Sequence, residues 1–143
     1  MLQRLRVLLP ALWAGLLLCI ATLATPAVFA VAPEAAGRIV GRIFAQEAVV
    51  SMALALLLTA LERKLAPERQ VGVWLALGAL FCTVAGYYAL QPMMAAARLG
   101  QGSLSFGQLH AISLLFFALK GVLVLVLAWR AAAPGGDLRP SSS

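Results

Sequence analysis

Six polar side chains stand inside or at the edge of otherwise apolar stretches of this 143-residue chain: Glu47, Tyr87, Gln91, His110, Ser113 and Lys120. Ionisable and hydrogen-bonding groups in such surroundings are the ones that hold ions or small polar ligands within a bilayer. Their spacing groups them. Thr83, Tyr87 and Gln91 follow one another at i, i+4 and i+8, and His110, Ser113 and Lys120 at i, i+3 and i+10, so each set shares one face of a helix. Lys120 lies near mid-span, where an exposed lysine costs about 2.5–3.5 kcal/mol even on lenient insertion scales. It is expected to turn inward, and Glu47 is the one acidic residue within a span able to balance it. With Glu47 taken as about one turn into its span, the two differ in depth by about 13 Å at 1.5 Å per residue. Contact then needs two extended side chains or a bridging water.

Two accounts of these residues stay open. In one, Lys120 and Glu47 snorkel to opposite membrane faces, and the tyrosines and His110 join helices by hydrogen bonds of about 0.6 kcal/mol each. In the other, they line a water-accessible pocket for a small polar ligand or an ion, open to the periplasm. Lys120→Met separates the two.

No soluble-enzyme signature accompanies them. Cys19 and Cys82 both fall near span centres, which speaks against a disulfide and for buried packing. One histidine excludes a haem held by paired imidazoles within one chain. Met93 and Met94 with His110 resemble a soft-metal set only loosely, because adjacent helical residues point apart. With no activated nucleophile, metal set or paired acid and base, the expectation is a chain with no catalytic residues, no metal and no cofactor.

The elements that must position these groups are transmembrane helices. Hydrophobic residues make up 63% of the chain and charged ones 11%, against roughly 25% charged in soluble domains, so a water-facing surface cannot be assembled. Four runs, 7–31, 39–61, 71–94 and 106–129, reach the roughly 20 residues that a hydrocarbon core of about 30 Å requires. They are apolar all round rather than alternating, which excludes a membrane barrel. The expected fold is all-α: a polytopic membrane protein with four helices in an antiparallel bundle over residues 1–130, and a disordered cytoplasmic tail over 131–143 rich in Pro, Gly and Ser.

Basic residues give the orientation. Arg4, Arg6, Arg63, Lys64, Arg69, Arg130 and Arg139 fall on one side, and Arg38, Arg42 and Arg98 on the other. Seven against three places both termini in the cytoplasm of a bacterial inner membrane. The net charge of +6 is thus a topology signal, scattered over short loops, and points to lipid headgroups rather than nucleic acid. Arg4, Arg6 and the ending Ala27-Val28-Phe29-Ala30 also describe a signal peptide. The apolar run exceeds the usual 7–15 residues or so, however, and a retained first span is expected.

Local signals fill in the connections. Pro33 and Glu34 read as the first turn of helix two, placing Glu34, Arg38 and Arg42 on one face. Pro67 reads as the opening of helix three. Pro26 is expected to bend helix one, with the Thr25 hydroxyl satisfying the freed carbonyl. Gly37 and Gly41 form a small-x-x-x-small pair that allows close helix approach, a basis for a homo-oligomer. Gly100 and Gly102 mark a flexible third loop.

Leu12-Trp13-Ala14-Gly15, Ala36-Gly37-Arg38-Ile39-Val40-Gly41-Arg42-Ile43-Phe44, Pro92-Met93 with Arg98, and Phe106-Gly107-Gln108-Leu109-His110-Ala111-Ile112-Ser113 occur in that order across the four spans. In this the chain resembles the family of unknown function numbered 4149, which is similar to transmembrane protein 205. The resemblance implies family-motif positions at Gly37, Gly41, Ile43 and Phe44 and at Phe106, His110 and Ser113. The chain departs from that pattern at Phe117, where an Asn is frequent, and at Gln46 and Glu47, where aromatic residues are. It also implies a four-helix integral membrane protein, with eukaryotic relatives linked to drug tolerance and vesicle traffic. The leading expectation is a small, non-enzymatic, multi-pass inner-membrane protein serving permeation or envelope stress tolerance, surrounded by membrane lipids. The alternatives are an accessory subunit of a larger membrane complex and, less favoured, a four-helix membrane enzyme acting on a thiol or lipid.

Overall fold

The computed structural model describes residues 1–68 and 70–133. All four expected spans are helical: α1 Leu2–Val31, α2 Ala36–Leu65, α3 Gln70–Arg98 and α4 Phe106–Ala132. Each is long and apolar enough to cross a membrane. They form a ring in which α1 packs on α2, α2 on α3, α3 on α4 and α4 back on α1, leaving α2 and α4 on one diagonal. The start of α1, the end of α4 and the connection between α2 and α3 lie at one end of the bundle, here the terminal end. The α1–α2 and α3–α4 loops lie at the other, the distal end. Arg69, Arg139 and positions 134–143 of the expected tail fall outside the described residues, while Ala131 and Ala132 continue α4 rather than beginning a tail.

The bundle is densest at its terminal end. Trp13, Ala14 and Leu17 of α1, Ala55, Leu58 and Leu61 of α2, Ala76 and Ala79 of α3, and Val124 and Leu127 of α4 form one buried cluster. The alanines let the helix backbones approach, which is how helices attract one another where lipid removes the hydrophobic drive. Large apolar side chains such as Leu12, Trp74, Phe81, Leu115 and Trp129 point outward, as a lipid-facing surface requires. Cys19 is among the outward residues and only Cys82 is buried, so the expectation of two packed thiols holds for one.

Three helix starts or bends differ from the sequence reading. Pro33 and Glu34 are not helical. The Ala35 amide donates to the Ala32 carbonyl (3.1 Å) and the Ala36 amide to that of Pro33 (3.4 Å), i+3 bonds of a tight turn, before α2 begins at Ala36. Pro67 sits in a turn and α3 opens at Gln70, because the residue before a proline is driven out of helical geometry. Ala66 accordingly adopts φ −143°, ψ 59°. In α1 a π-helical stretch at Ile20–Ala24 absorbs the misfit ahead of Pro26. Thr25 Oγ1 is buried without a hydrogen-bond partner, and it is Thr22 that bonds back to the Leu18 carbonyl (2.8 Å). A matching π-helical stretch at Val84–Ala89 precedes Pro92 in α3. Each proline lacks an N–H and crowds the carbonyl four residues back, and a wider turn upstream relieves both effects. The α3–α4 loop then closes through Gly100 and Gly102 at φ +71° and +103°. There Ser105 caps α4 reciprocally with Gln108.

An ion pair closes the terminal end. Arg6 Nε donates to Glu62 Oε1 at 2.6 Å and Arg6 Nη2 to Glu62 Oε2 at 3.1 Å. The Glu62 side chain is only 2% exposed. Gly72 of α3 packs directly over it, and a Cβ at that position would collide with the carboxylate. Arg6→Met leaves the buried Glu62 unpaired and is expected to cost on the order of 2 kcal/mol of stability. Reversible unfolding in mixed micelles measures this, and an unchanged midpoint would remove the pair from the forces holding α1 to α2.

Candidate functional site

The distal halves of the four helices do not close on one another as the terminal halves do. They surround a cavity of about 540 Å³, within the range of roughly 300–1,000 Å³ typical of small-molecule sites. All six residues singled out by sequence, Glu47, Tyr87, Gln91, His110, Ser113 and Lys120, line it, as do Gly37, Gly41, Phe44 and Phe106. A Cβ added at Gly37 or Gly41 would meet nothing. Within this chain the two glycines are therefore open wall on α2, not a seam between packed helices.

The floor is a salt bridge. Lys120 Nζ donates to Glu47 Oε1 at 2.7 Å, with side chains 4% and 3% exposed. This settles the two accounts at one point: neither residue snorkels, and each turns inward to the other. The separation expected from sequence was too large because it set Glu47 about one turn into its span, whereas Glu47 stands about three turns beyond the start of α2 at Ala36. From Ala36, Glu47 lies about 17 Å along α2, and from Phe106, Lys120 lies about 21 Å along α4. The two helices run the same way from the distal end, so the pair is nearly level. It also crosses the diagonal of the ring, joining helices whose backbones do not approach each other closely.

Behind the carboxylate stand two residues that the sequence reading did not connect with it. Ser51, one turn further along α2, donates to Glu47 Oε1, and Trp13 Nε1 of α1 donates to Ser51 Oγ at 2.9 Å. Ser51 and Trp13 are 0% and 1% exposed. The i, i+4 spacing of Glu47 and Ser51 was the available signal for the first. Trp13 gave none beyond a polar N–H placed in mid-span. Both bonds to the carboxylate fall on Oε1, and among the described residues Oε2 carries none.

Aromatic rings frame the charges. The Lys120 ammonium lies 4.9 Å from the Phe117 ring centre, and Phe117 meets Phe44 edge-on at 5.2 Å. Cation–π attraction of this kind grows as water is excluded. Higher up, His110 stacks on Phe106 at 5.9 Å and the Arg98 guanidinium covers the other ring at 4.7 Å. Ser113 donates to the Gly86 carbonyl (2.8 Å) within the π-helical stretch of α3, tying α4 to the widened turn. Met93 and Met94 separate as their adjacency requires: Met94 is buried with Leu90 and Leu109, while Met93 is exposed and away from the cavity.

Four membrane-long helices around a cavity floored by an ion pair and walled by aromatic rings define a polytopic membrane protein. The chain belongs to the family described as "Domain of unknown function (DUF4149)", whose model matches residues 8–103. The matched stretch holds α1 to α3, including Trp13, Gly37, Gly41, Glu47 and Tyr87, and ends before α4 and its Phe106, His110, Ser113 and Lys120. No curated protein and no solved structure matches the chain.

The floor generates a stability cycle. Lys120→Met strands a buried carboxylate and is expected to cost about 3–5 kcal/mol, whereas Glu47→Leu with Lys120→Leu removes both charges and recovers most of that. Unfolding of the single and double variants in mixed micelles measures the coupling. Additive losses would mean that the two side chains do not depend on each other.

Proposed function

We propose that this chain is a non-enzymatic inner-membrane protein whose distal cavity faces the periplasm and binds a small ligand in support of permeation or envelope stress tolerance. The observation that carries the reading is the Glu47–Lys120 pair on the floor of a 540 Å³ cavity. Burying an ion pair is rarely worth more than packing apolar residues in its place. A pair left beside open volume is therefore better explained by what it meets than by what it holds. The orientation rests on charge: Arg4, Arg6, Arg63, Lys64 and Arg130 lie toward the terminal end, against Arg38, Arg42 and Arg98 at the distal end. Hydroxyls, aromatic faces and a paired charge suit binding, and the apolar belt around the helices makes lipid the constant partner.

Two measurements test the proposal. In a host lacking the protein and challenged with a membrane-active cationic biocide, the wild-type chain is expected to restore growth. The Glu47→Leu/Lys120→Leu variant, at equal membrane abundance, is expected not to; full rescue by it would sink the functional reading. For orientation, Gln101→Cys in a background with Cys19 and Cys82 replaced by serine should react with a membrane-impermeant maleimide on spheroplasts, while Lys64→Cys should not. The reverse pattern would overturn the topology.

A further inference from the structure

The cavity has a second opening, through its side. α1 packs against α4 along its terminal half, but beyond the π-helical stretch its last turns lean on α2 instead. Of the exposed residues that line the cavity, Ala21 and Phe29 of α1 (Phe29 at 53%) and His110 and Leu114 of α4 (Leu114 at 51%) flank this gap, while Gly37 and Arg98 stand toward the distal loops. Leu114 lies about 12 Å along α4 from its distal start, a depth at which a membrane-long helix faces acyl chains rather than water. Thr25, also on this wall of α1, holds the unpartnered buried hydroxyl.

The floor fixes the chemistry of what fits. Glu47 and Lys120 are jointly neutral, so a full charge brought against them would lack a counter-ion in a desolvated site. The pair nonetheless offers both kinds of bond: Glu47 Oε2 has room to accept, and the ammonium gives one of its three donors to Glu47. A neutral group that both donates and accepts, a hydroxyl or a carboxamide, satisfies both at once. Above it, Phe44, Phe117 and Leu114 supply an apolar wall continuous with the side opening.

We propose that the cavity takes a neutral, membrane-dissolved amphiphile that enters laterally between α1 and α4 and seats its hydroxyl or amide on the Glu47–Lys120 pair. This rests on the ligand-binding reading above and names the class and route of that ligand. The test uses the full-length protein in lipid nanodiscs containing a long-chain fatty alcohol with a diazirine close to its hydroxyl, photolysed and mapped by mass spectrometry. Adducts are expected on Glu47 and Phe117, competed by unlabelled alcohol, and reduced several-fold by Leu114→Trp, which fills the side opening without touching the floor. Adducts confined to outward residues such as Trp74 and Leu115 would overturn the proposal. It would also fall if Leu114→Trp left Glu47 labelling unchanged while a short, water-soluble diazirine alcohol labelled Glu47 equally well, because the route would then be the aqueous mouth. The biocide phenotype is independent of both results, so cavity labelling without a growth defect would overturn the physiological role and leave the lateral site standing.

Discussion

A charge pair drawn across the diagonal of a four-helix ring governs this structure. In hydrocarbon, neither Glu47 nor Lys120 can be left alone, and the helices that carry them stand across the ring with their backbones apart. Reaching across the centre satisfies both, with Trp13 and Ser51 steadying the carboxylate from α1 and α2 and the Phe117 ring flanking the ammonium. Because long side chains do the joining, the Glu47–Lys120 pair and the Phe44–Phe117 edge contact beside it, the backbones of α2 and α4 can remain apart on the distal side of the bridge. The pair thus sets the boundary between two regimes. Toward the termini, alanines and leucines fill the bundle; toward the loops, the helices stand around a cavity.

The prolines act on the same boundary. Pro26 and Pro92 each follow a π-helical stretch, in α1 and α3, the two helices that rise toward the distal end. A π turn widens and redirects a helix. Occurring in opposite members of the ring, the two open its upper half while the lower half stays close-packed. One consequence is visible at Gly86, whose carbonyl accepts from Ser113, so that the irregular turn of α3 is held to α4 by a hydrogen bond. The other is at α1, which leaves α4 for α2 and opens the side of the cavity.

Much of this was readable from residue types, and the remainder has identifiable causes. Span number and helical class follow from run length and composition, which the bilayer constrains tightly. All six candidate residues meet in one cavity because depth and helical face can be counted along a chain. The distance between Glu47 and Lys120 was misjudged because Glu47 was set about one turn into its span, although about three turns of α2 precede it. Trp13 and Ser51 were invisible as partners, since their roles depend on which helices become neighbours. Thr25 was assigned a backbone bond that the π turn removed. Arg6 was read only as a topology signal, and nothing in its spacing of 56 positions from Glu62 announced a bond.

The second ion pair shows what a purely structural one looks like in this fold. Arg6 and Glu62 bond through two nitrogens and two oxygens, and α3 presents a glycine where any side chain would strike the carboxylate. The space left beside them is about 20 Å³, the size of roughly a single water. That is how a buried carboxylate is finished when its task is to fasten helices: both of its oxygens are used and the surroundings close over it. Glu47 and Lys120 are as deeply buried as Glu62, yet one carboxylate oxygen is unused and the neighbouring volume is 540 Å³. The same chain, in the same bilayer, can close a charge pair and has not closed this one. The contrast within a single molecule argues that the central pair is kept open to a partner from outside the chain.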